Sequence, residues 1–419
     1  MLKPLVTGTG ILTSGGIGIE AVWNSIMNKQ VNKTKEKYLL NDHTEFEFEK
    51  YAIPKISLKE WVTRSDYDWL KKIGLHEDQD FCYLVVAAKL AIENAGLDIS
   101  SPNRISLIIG HENPGVVNLV DKLIKQDESL TLSNPESVGP LNYQKYQDYF
   151  YNIQTFPYLF YLSKVLGING SSYIVNNACA TGLYAIELGK NLIQCGTTDT
   201  VIIVCSDYAH ATEYLWLSKK GFISNTNTIR PFDKNRDGSV LGDGAGAIIL
   251  ESGRRKGPNS SDVLVQYSGG DFAQDTWNMV LPDVTKNLYS QVIRYAAEQF
   301  SSGPIDLLVP HGTGSSLWDQ YEGKEITKAF HQLNASVPDI LALKGYIGHT
   351  LGASALVETI ILLECLKRNI VPETLHYQKP DSKIPLNLNM VAESKELKRV
   401  MKSVSAYGGF LAASVFEKI

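Results

Sequence analysis

Strand-like runs and helical patterns alternate along the whole of this 419-residue chain. The runs PLVTGTGIL (4–12), ISLIIG (105–110), TVIIVCS (200–206), GAIILES (246–252), DLLVPHG (306–312) and ASVFE (413–417) are short and apolar, as strands buried on both faces are. The segments YLVVAAKLAIENAG (83–96), GLYAIELGKNLIQCG (182–196), TKNLYSQVIRYAAEQF (285–300) and ALVETIILLECLKR (355–368) repeat apolar residues at helical spacing instead. The alternation predicts an α/β protein with a largely buried mixed sheet. A length of 419 residues, 44% of them hydrophobic, suits one large α/β domain or two related halves.

Bulk properties narrow the function. A net charge of −5 with no long basic run disfavours nucleic acid. The five cysteines, Cys82, Cys179, Cys195, Cys205 and Cys365, are scattered and lack CxxC spacing, so neither a disulfide framework nor a zinc site is expected. No apolar run is long enough to span a membrane. MLKPLVTGTGILTSGG reads as a first strand and turn, not a signal peptide. A cytoplasmic location is therefore expected.

Two segments look alike. YIVNNACATGLYAIELG (173–189) runs from strand formers through small residues into a helix that begins near Cys179. IGHTLGASALVETIILLE (347–364) does the same around His349. The pair hints at a duplicated unit, with a division at GRRKGPNSSD (253–262) into halves 1–252 and 253–419. A thiol at a helix N-terminus has its pKa lowered, and the free N–H groups there can hold an oxyanion. A small buried hydrophobe is the alternative reading of Cys179.

Other residues are equally ambiguous one at a time. His311 follows an apolar strand and precedes Gly312-Thr313-Gly314, with Asp319 and Glu322 early in a following helix. Asp319 reads best as a helix cap. Lys344 and His349 lie five apart among glycines, and either could be structural. Arg230, Asp233, Arg236 and Asp237 are expected to form an ion-pair network around the Asp237-Gly238 turn. GDGAG and GTGILTSG are not convincing phosphate loops. His43, His76, His111, His210, His331 and His376 show no ligand spacing and are taken as structural or surface residues, with an approach to the pocket as the alternative for His111, which ends a strand. The tyrosine-rich stretch 125–160 reads either as a plain structural loop or as one that covers a site or meets a subunit.

In order, ACATG, RPFDKNRDG with GDGAG, HGTGS, K-x4-GHTLGAS and a C-terminal YGG resemble the motifs of the β-ketoacyl-acyl carrier protein synthases, the condensing enzymes of fatty acid and polyketide assembly. The resemblance spans essentially the whole chain. It implies a thiolase-like fold of five α-β-α-β-α layers, built from two similar halves with mixed sheets. It also implies a dimer, either of identical chains or with a homologous ketosynthase or chain-length-factor subunit, served by an acyl carrier protein. No metal or redox cofactor is implied.

By the same resemblance, Cys179 is the nucleophile, and His311 and His349 bind the malonyl thioester carbonyl as neutral imidazoles. Lys344 supports the second histidine, and Glu322 is a supporting acid. Thr313 and Ser315 meet the pantetheine arm. Tyr407 is the gating aromatic whose backbone N–H completes the oxyanion hole with that of Cys179, and Gly408 and Phe410 border the substrate. The gate departs from the family's GFGGTN: Ala406 replaces a flexible glycine, and Phe410-Leu411 replace a polar pair that pins the loop. Together with the ATG after Cys179, this points to a specialised fatty acid, type II polyketide or polyene pathway. A chain-length-factor-like subunit is the alternative. A thiolase fits less well, because its second cysteine belongs near the C-terminus and the last one here is Cys365.

Overall fold

The computed structural model describes residues 3–39, 45–100, 104–113, 116, 154–253, 265–386 and 388–419. The expected division at 253–262 and most of the tyrosine-rich stretch lie outside the described residues.

One mixed sheet carries the molecule. Its first five long strands are β1 (Leu5–Thr13), β2 (Ile105–Gly110), β3 (Ser172–Val175), β4 (Thr200–Asp207) and β5 (Gly244–Glu251). The next five are β6 (Val265–Gln274), β7 (Leu307–Val309), β8 (Asp339–Ile340), β9 (Arg399–Ser405) and β10 (Phe410–Lys418). Across the sheet they run β3-β2-β4-β5-β1 and then β6-β10-β9-β7-β8. Each half therefore places its first strand at the shared seam and its third at the outer edge. The pairing senses repeat as well: β1 and β6 are antiparallel to β5 and β10, these are antiparallel to β4 and β9, and the outer pairings are parallel. The halves join where Leu5 and Val6 pair with Gln266 and Val265.

The helices repeat too. The first half has α1 (Gln79–Ala95), α2 (Phe156–Leu166) and α3 (Thr181–Gln194), and besides them α4 (Ala211–Lys219) and the helices Ile19–Met27 and Arg64–Lys72. The second half has α5 (Leu288–Phe300), α6 (Ser316–Gln332) and α7 (Ser354–Arg368). One apolar cluster gathers α1 and α2 under the first half, another gathers α5 and α6 under the second, and the largest holds α3 and α7 between the two. The order is α-β-α-β-α. Burial on all sides explains why α7 is apolar around most of its circumference, with every residue from Ser354 to Leu366 buried. α3 and α7 approach so closely that a Cβ on Gly182 would lie 2.5 Å from the Leu356 backbone nitrogen.

Strands β6 and β9 have no counterpart among the runs expected from sequence. QYSGGDFAQ and RVMKSVS alternate polar with apolar residues, and Lys402 interrupts the second. Lys402 is held by tertiary partners, the Pro310 carbonyl and Glu358 at 2.9 Å each, which outweigh the local pattern. A hairpin of Lys33–Leu39 with Glu45–Tyr51 was likewise not evident. The expected ion-pair network at 230–237 is mostly something else. Asp233 accepts the Asn235, Gln378 and Lys379 N–H groups, and Arg236 reaches Asp381 at 2.7 Å. Only Arg230 and Asp237 pair within it, at 3.8 Å.

Candidate active site

The chain leaves β3 at Val175 and turns sharply before α3 begins at Thr181. Ala178 takes φ 50, a left-handed conformation that costs a side-chain-bearing residue energy. Thr181 holds it there: the hydroxyl accepts the Asn177 N–H at 2.8 Å and donates to the Ala178 carbonyl at 2.6 Å. Cys179 follows, only 6% exposed, at the floor of a cavity.

The matching crossover of the second half runs from β8 through one helical turn, Lys344–Ile347, to His349 and α7. Leu351, at φ 48, donates its N–H to His349 Nδ1 at 3.1 Å. His311 comes from the end of β7. Glu322 on α6 fixes it through the backbone, accepting the His311 and Gly312 N–H groups at 2.7 Å each. Asp319 is not a solvated helix cap. It is fully buried and accepts the Gly314 and Phe232 N–H groups at 3.1 and 2.7 Å, tying the HGTG loop to the first half.

These elements converge. One ligating atom each from Cys179, His311 and His349 lies within 4.8 Å of the others, and the two imidazoles stand at 83° with centroids 5.3 Å apart. Lys344 does not support the second histidine as expected. Its Nζ lies 3.3 Å from His311 Nδ1 and 2.7 Å from the His311 carbonyl, and it pairs with Glu358 at 2.6 Å. Glu358 also holds Lys402, at 2.9 Å, so one buried carboxylate sits between two buried lysines. Burial and Lys344 hold His311 well below the ordinary histidine range and His349 at about 3. Both rings are therefore neutral. A ring that accepts at Nδ1 carries its proton on Nε2, so each presents one N–H donor. A thiol and two imidazoles are also a soft-metal donor set. Here two lysines add positive charge and both Nδ1 atoms are engaged, which suits an oxygen acceptor better than a cation.

The thiol behaves against expectation. Burial, and next the Glu112 carboxylate, push Cys179 well above the usual thiol range, although Lys344 pulls it down. Desolvation outweighs the field of the helix N-terminus. Glu112, 3.8 Å from Sγ, was not anticipated. It sits on the loop after β2, next to His111, which is not merely a core residue. Buried between Asp80, at 3.1 Å, and Asp207, His111 ties this loop to α1 and β4. Its only signal in sequence was its place at a strand end. Glu213 on α4 also lines the cavity. Glu358 and Lys402 were missed as well. The available signal was a charge inside an apolar helix and another inside a strand.

The cavity wall includes Thr313, Ser315, Trp318, Ser405 and Tyr407. Its free volume is about 50 Å³. The Tyr407 ring is boxed by Phe222, Trp216 and Trp318, with centroids 5.6, 6.0 and 6.2 Å away. Gly408 and Phe410 do not border this cavity: Phe410 turns away, edge-on to Tyr184. Nor is the loop short of pins. Ala406 N–H donates to the Phe410 carbonyl at 2.8 Å, Gly408 N–H to the Met279 carbonyl at 2.8 Å, and Asp275 N–H to the Gly409 carbonyl at 2.7 Å. Ala406 is extended, at φ −109, where a methyl group causes no strain.

Comparison with known proteins agrees with this geometry. Residues 5–255 match the family model for the beta-ketoacyl synthase N-terminal domain, and residues 267–378 match that for the C-terminal domain. Nodulation protein E of Rhizobium sp. (strain N33) is 25% identical over 362 residues, covering 85% of this chain and 87% of that one. The 3-oxoacyl-[acyl-carrier-protein] synthase 2 of Vibrio harveyi is 24% identical over 435 residues, covering 100% of this chain and 99% of that one. The solved ishigamide ketosynthase/chain length factor superposes with a TM-score of 0.80 at 20% identity, covering 100% of both chains, and so shares the thiolase-like fold. With its motifs in order, its two topologically repeated halves and a cysteine meeting two histidines at their junction, the chain belongs to the β-ketoacyl synthase family.

Proposed function

We propose that this chain is a β-ketoacyl-acyl carrier protein synthase. The observation that carries the reading is the convergence of Cys179, His311 and His349 in one buried cavity. Cys179 takes an acyl group from a carrier thioester and holds it as a new thioester. The backbone N–H groups of Cys179 and Tyr407 stabilise the tetrahedral oxyanion. Malonyl-carrier then enters past Thr313 and Ser315. The Nε2–H groups of His311 and His349 bond its thioester oxygen as carbon dioxide leaves and an enolate forms. Neutral donors suit this step, because an imidazolium would surrender its proton to the enolate. The nucleophilic carbon attacks acyl-Cys179 and releases a β-ketoacyl chain two carbons longer. Lys344 and Glu322 position His311, one through the ring and one through the backbone.

The partner is an acyl carrier protein, and the assembly is a homodimer or a pair with a homologous subunit. The halves divide at 252/253. The relatives' names support a fatty acid or polyketide setting, and the ATG after Cys179 favours a specialised one. The described residues contain no helix long and apolar enough to cross a membrane.

Intact-protein mass measured after incubation with a panel of acyl-carrier thioesters tests this. One acyl adduct on wild type and none on Cys179→Ala supports the reading. No adduct from any donor, with or without a co-purified homologous subunit, overturns it in favour of a chain-length-factor role.

A further inference from the structure

Acylation needs the Cys179 proton to go somewhere, and the obvious acceptors are spent. Each histidine accepts at Nδ1 and keeps its proton on Nε2. Lys344 is committed to Glu358 and His311. The helix field does not overcome desolvation of the thiol. The group in contact with Sγ is the Glu112 carboxylate, whose Oε1 lies 3.8 Å away.

The loop that carries Glu112 is fixed on both sides. His111, just before it, is clamped to Asp80 at 3.1 Å and accepts the Asn113 N–H at 2.9 Å. Asn176, in the cysteine turn itself, donates its side-chain N–H to the Glu112 backbone carbonyl. Carboxylate and thiol are thus held by one tied unit rather than meeting by chance. On this basis, and resting on the condensing-enzyme reading above, we propose that Glu112 is the general base that takes the Cys179 proton during acylation and returns it to the departing pantetheine thiolate.

The step balances. The S–H bond of Cys179 breaks and its proton passes to Glu112 as Sγ bonds the acyl carbon. The tetrahedral intermediate collapses with loss of the C–S bond to pantetheine, and that thiolate takes the proton from Glu112. Nothing is oxidised or reduced. The environment tunes the base to the task. Burial and Glu213 on α4 push Glu112 up to about 8. The other ionisable groups around it are Cys179, Asp207 at the end of β4, and Tyr407 on the gate loop. A carboxylate with that proton affinity is closer to a thiol than an ordinary glutamate is, and proton transfer is most effective near the working pH.

Single-turnover acylation of wild type, Glu112→Gln and Glu112→Asp by the best-loading acyl-carrier thioester decides the matter, run from about pH 6 to 10 beside iodoacetamide alkylation of Cys179. In wild type, acylation should rise with pH and level off above about 8. Glu112→Gln should acylate about 10²-fold more slowly, with a rate that keeps climbing as the unassisted thiol titrates, and Glu112→Asp should recover part of the loss. Alkylation should follow the same ranking. Should Glu112→Gln not fold, the wild-type profile decides alone, because a rate that climbs without levelling overturns the proposal. Equal acylation of wild type and Glu112→Gln overturns it while leaving the condensing-enzyme reading intact. A wild-type chain that takes no acyl group overturns both.

Discussion

Glu358 offers a direct test of how the site is held together. It lies within α7, with Lys344 2.6 Å from one carboxylate oxygen and Lys402 2.9 Å from the other. All three side chains are at most 1% exposed. Glu358→Gln keeps the shape and removes the charge, which leaves two buried cations facing each other. Removing one partner of a buried ion pair costs about 3–5 kcal/mol. The lower end applies here for two reasons. Lys402 keeps the Pro310 and Ser403 carbonyls at 2.9 and 2.8 Å, and Lys344 keeps the His311 carbonyl at 2.7 Å. Burial also holds Lys402 below its usual range, so it sheds its proton most readily and absorbs part of the loss. At roughly 2 cal/mol/K per residue, a chain of 419 residues has an unfolding entropy near 0.9 kcal/mol/K, and about 3 kcal/mol lowers Tm by roughly 3 °C. Urea melts should show the same free-energy loss as an earlier midpoint with an unchanged slope. The triple variant Lys344→Met, Glu358→Leu, Lys402→Met should return to within about 1 kcal/mol of wild type, because an apolar replacement of a whole buried ion cluster removes the desolvation cost with the charges. A wild-type midpoint for Glu358→Gln would refute the charge-coupled triad.

Two further outcomes follow from packing and protonation. Gly182→Ala pushes a methyl group into the Leu356 backbone and Cβ, at 2.5 and 2.7 Å, and these atoms cannot swing aside. It should cost about 1–3 kcal/mol in urea and slow Cys179 acylation, and unchanged values for both would refute the tight contact of α3 with α7. For His349, whose folded pKa of about 3 lies below its ordinary 6.5, the unfolded chain binds a proton that the folded chain refuses as pH falls below about 6.5. Wild type should therefore lose about 2 kcal/mol more than His349→Gln between about pH 7.5 and pH 5, and parallel losses would show that the ring is not held neutral.

Much of the site was legible in the sequence because local rules govern it. Cys179 and His311 each follow a strand, His349 follows one helical turn, and all three precede a helix or a glycine turn; such chain reversals leave marks: ACATG, HGTG and GHTLG. The fold class followed from the alternation of apolar runs with helical spacing, and the duplication from two small-residue helix entrances. β6 and β9 were missed because Gly269, Asp271 and Lys402 break the apolar pattern, and β6 pairs with strands far away in sequence. The loop 405–414 departs from expectation for a similar reason: its pins come from Gln274, Asp275 and Met279 instead of from its own side chains.

What the sequence determined by itself is the order of elements, the motifs and the three residues, Cys179, His311 and His349, that meet in the cavity. What only the tertiary structure decided is their electrostatic state. Glu112 is 67 positions from Cys179, and Lys344 is 33 from His311; no local pattern announces either contact. Whether a thiol is raised or lowered depends on how much water is removed from it and which charges remain within a few ångströms. Those are properties of the packed cavity, set when two repeated halves bring the ends of β2, β3, β7 and β8 to one place.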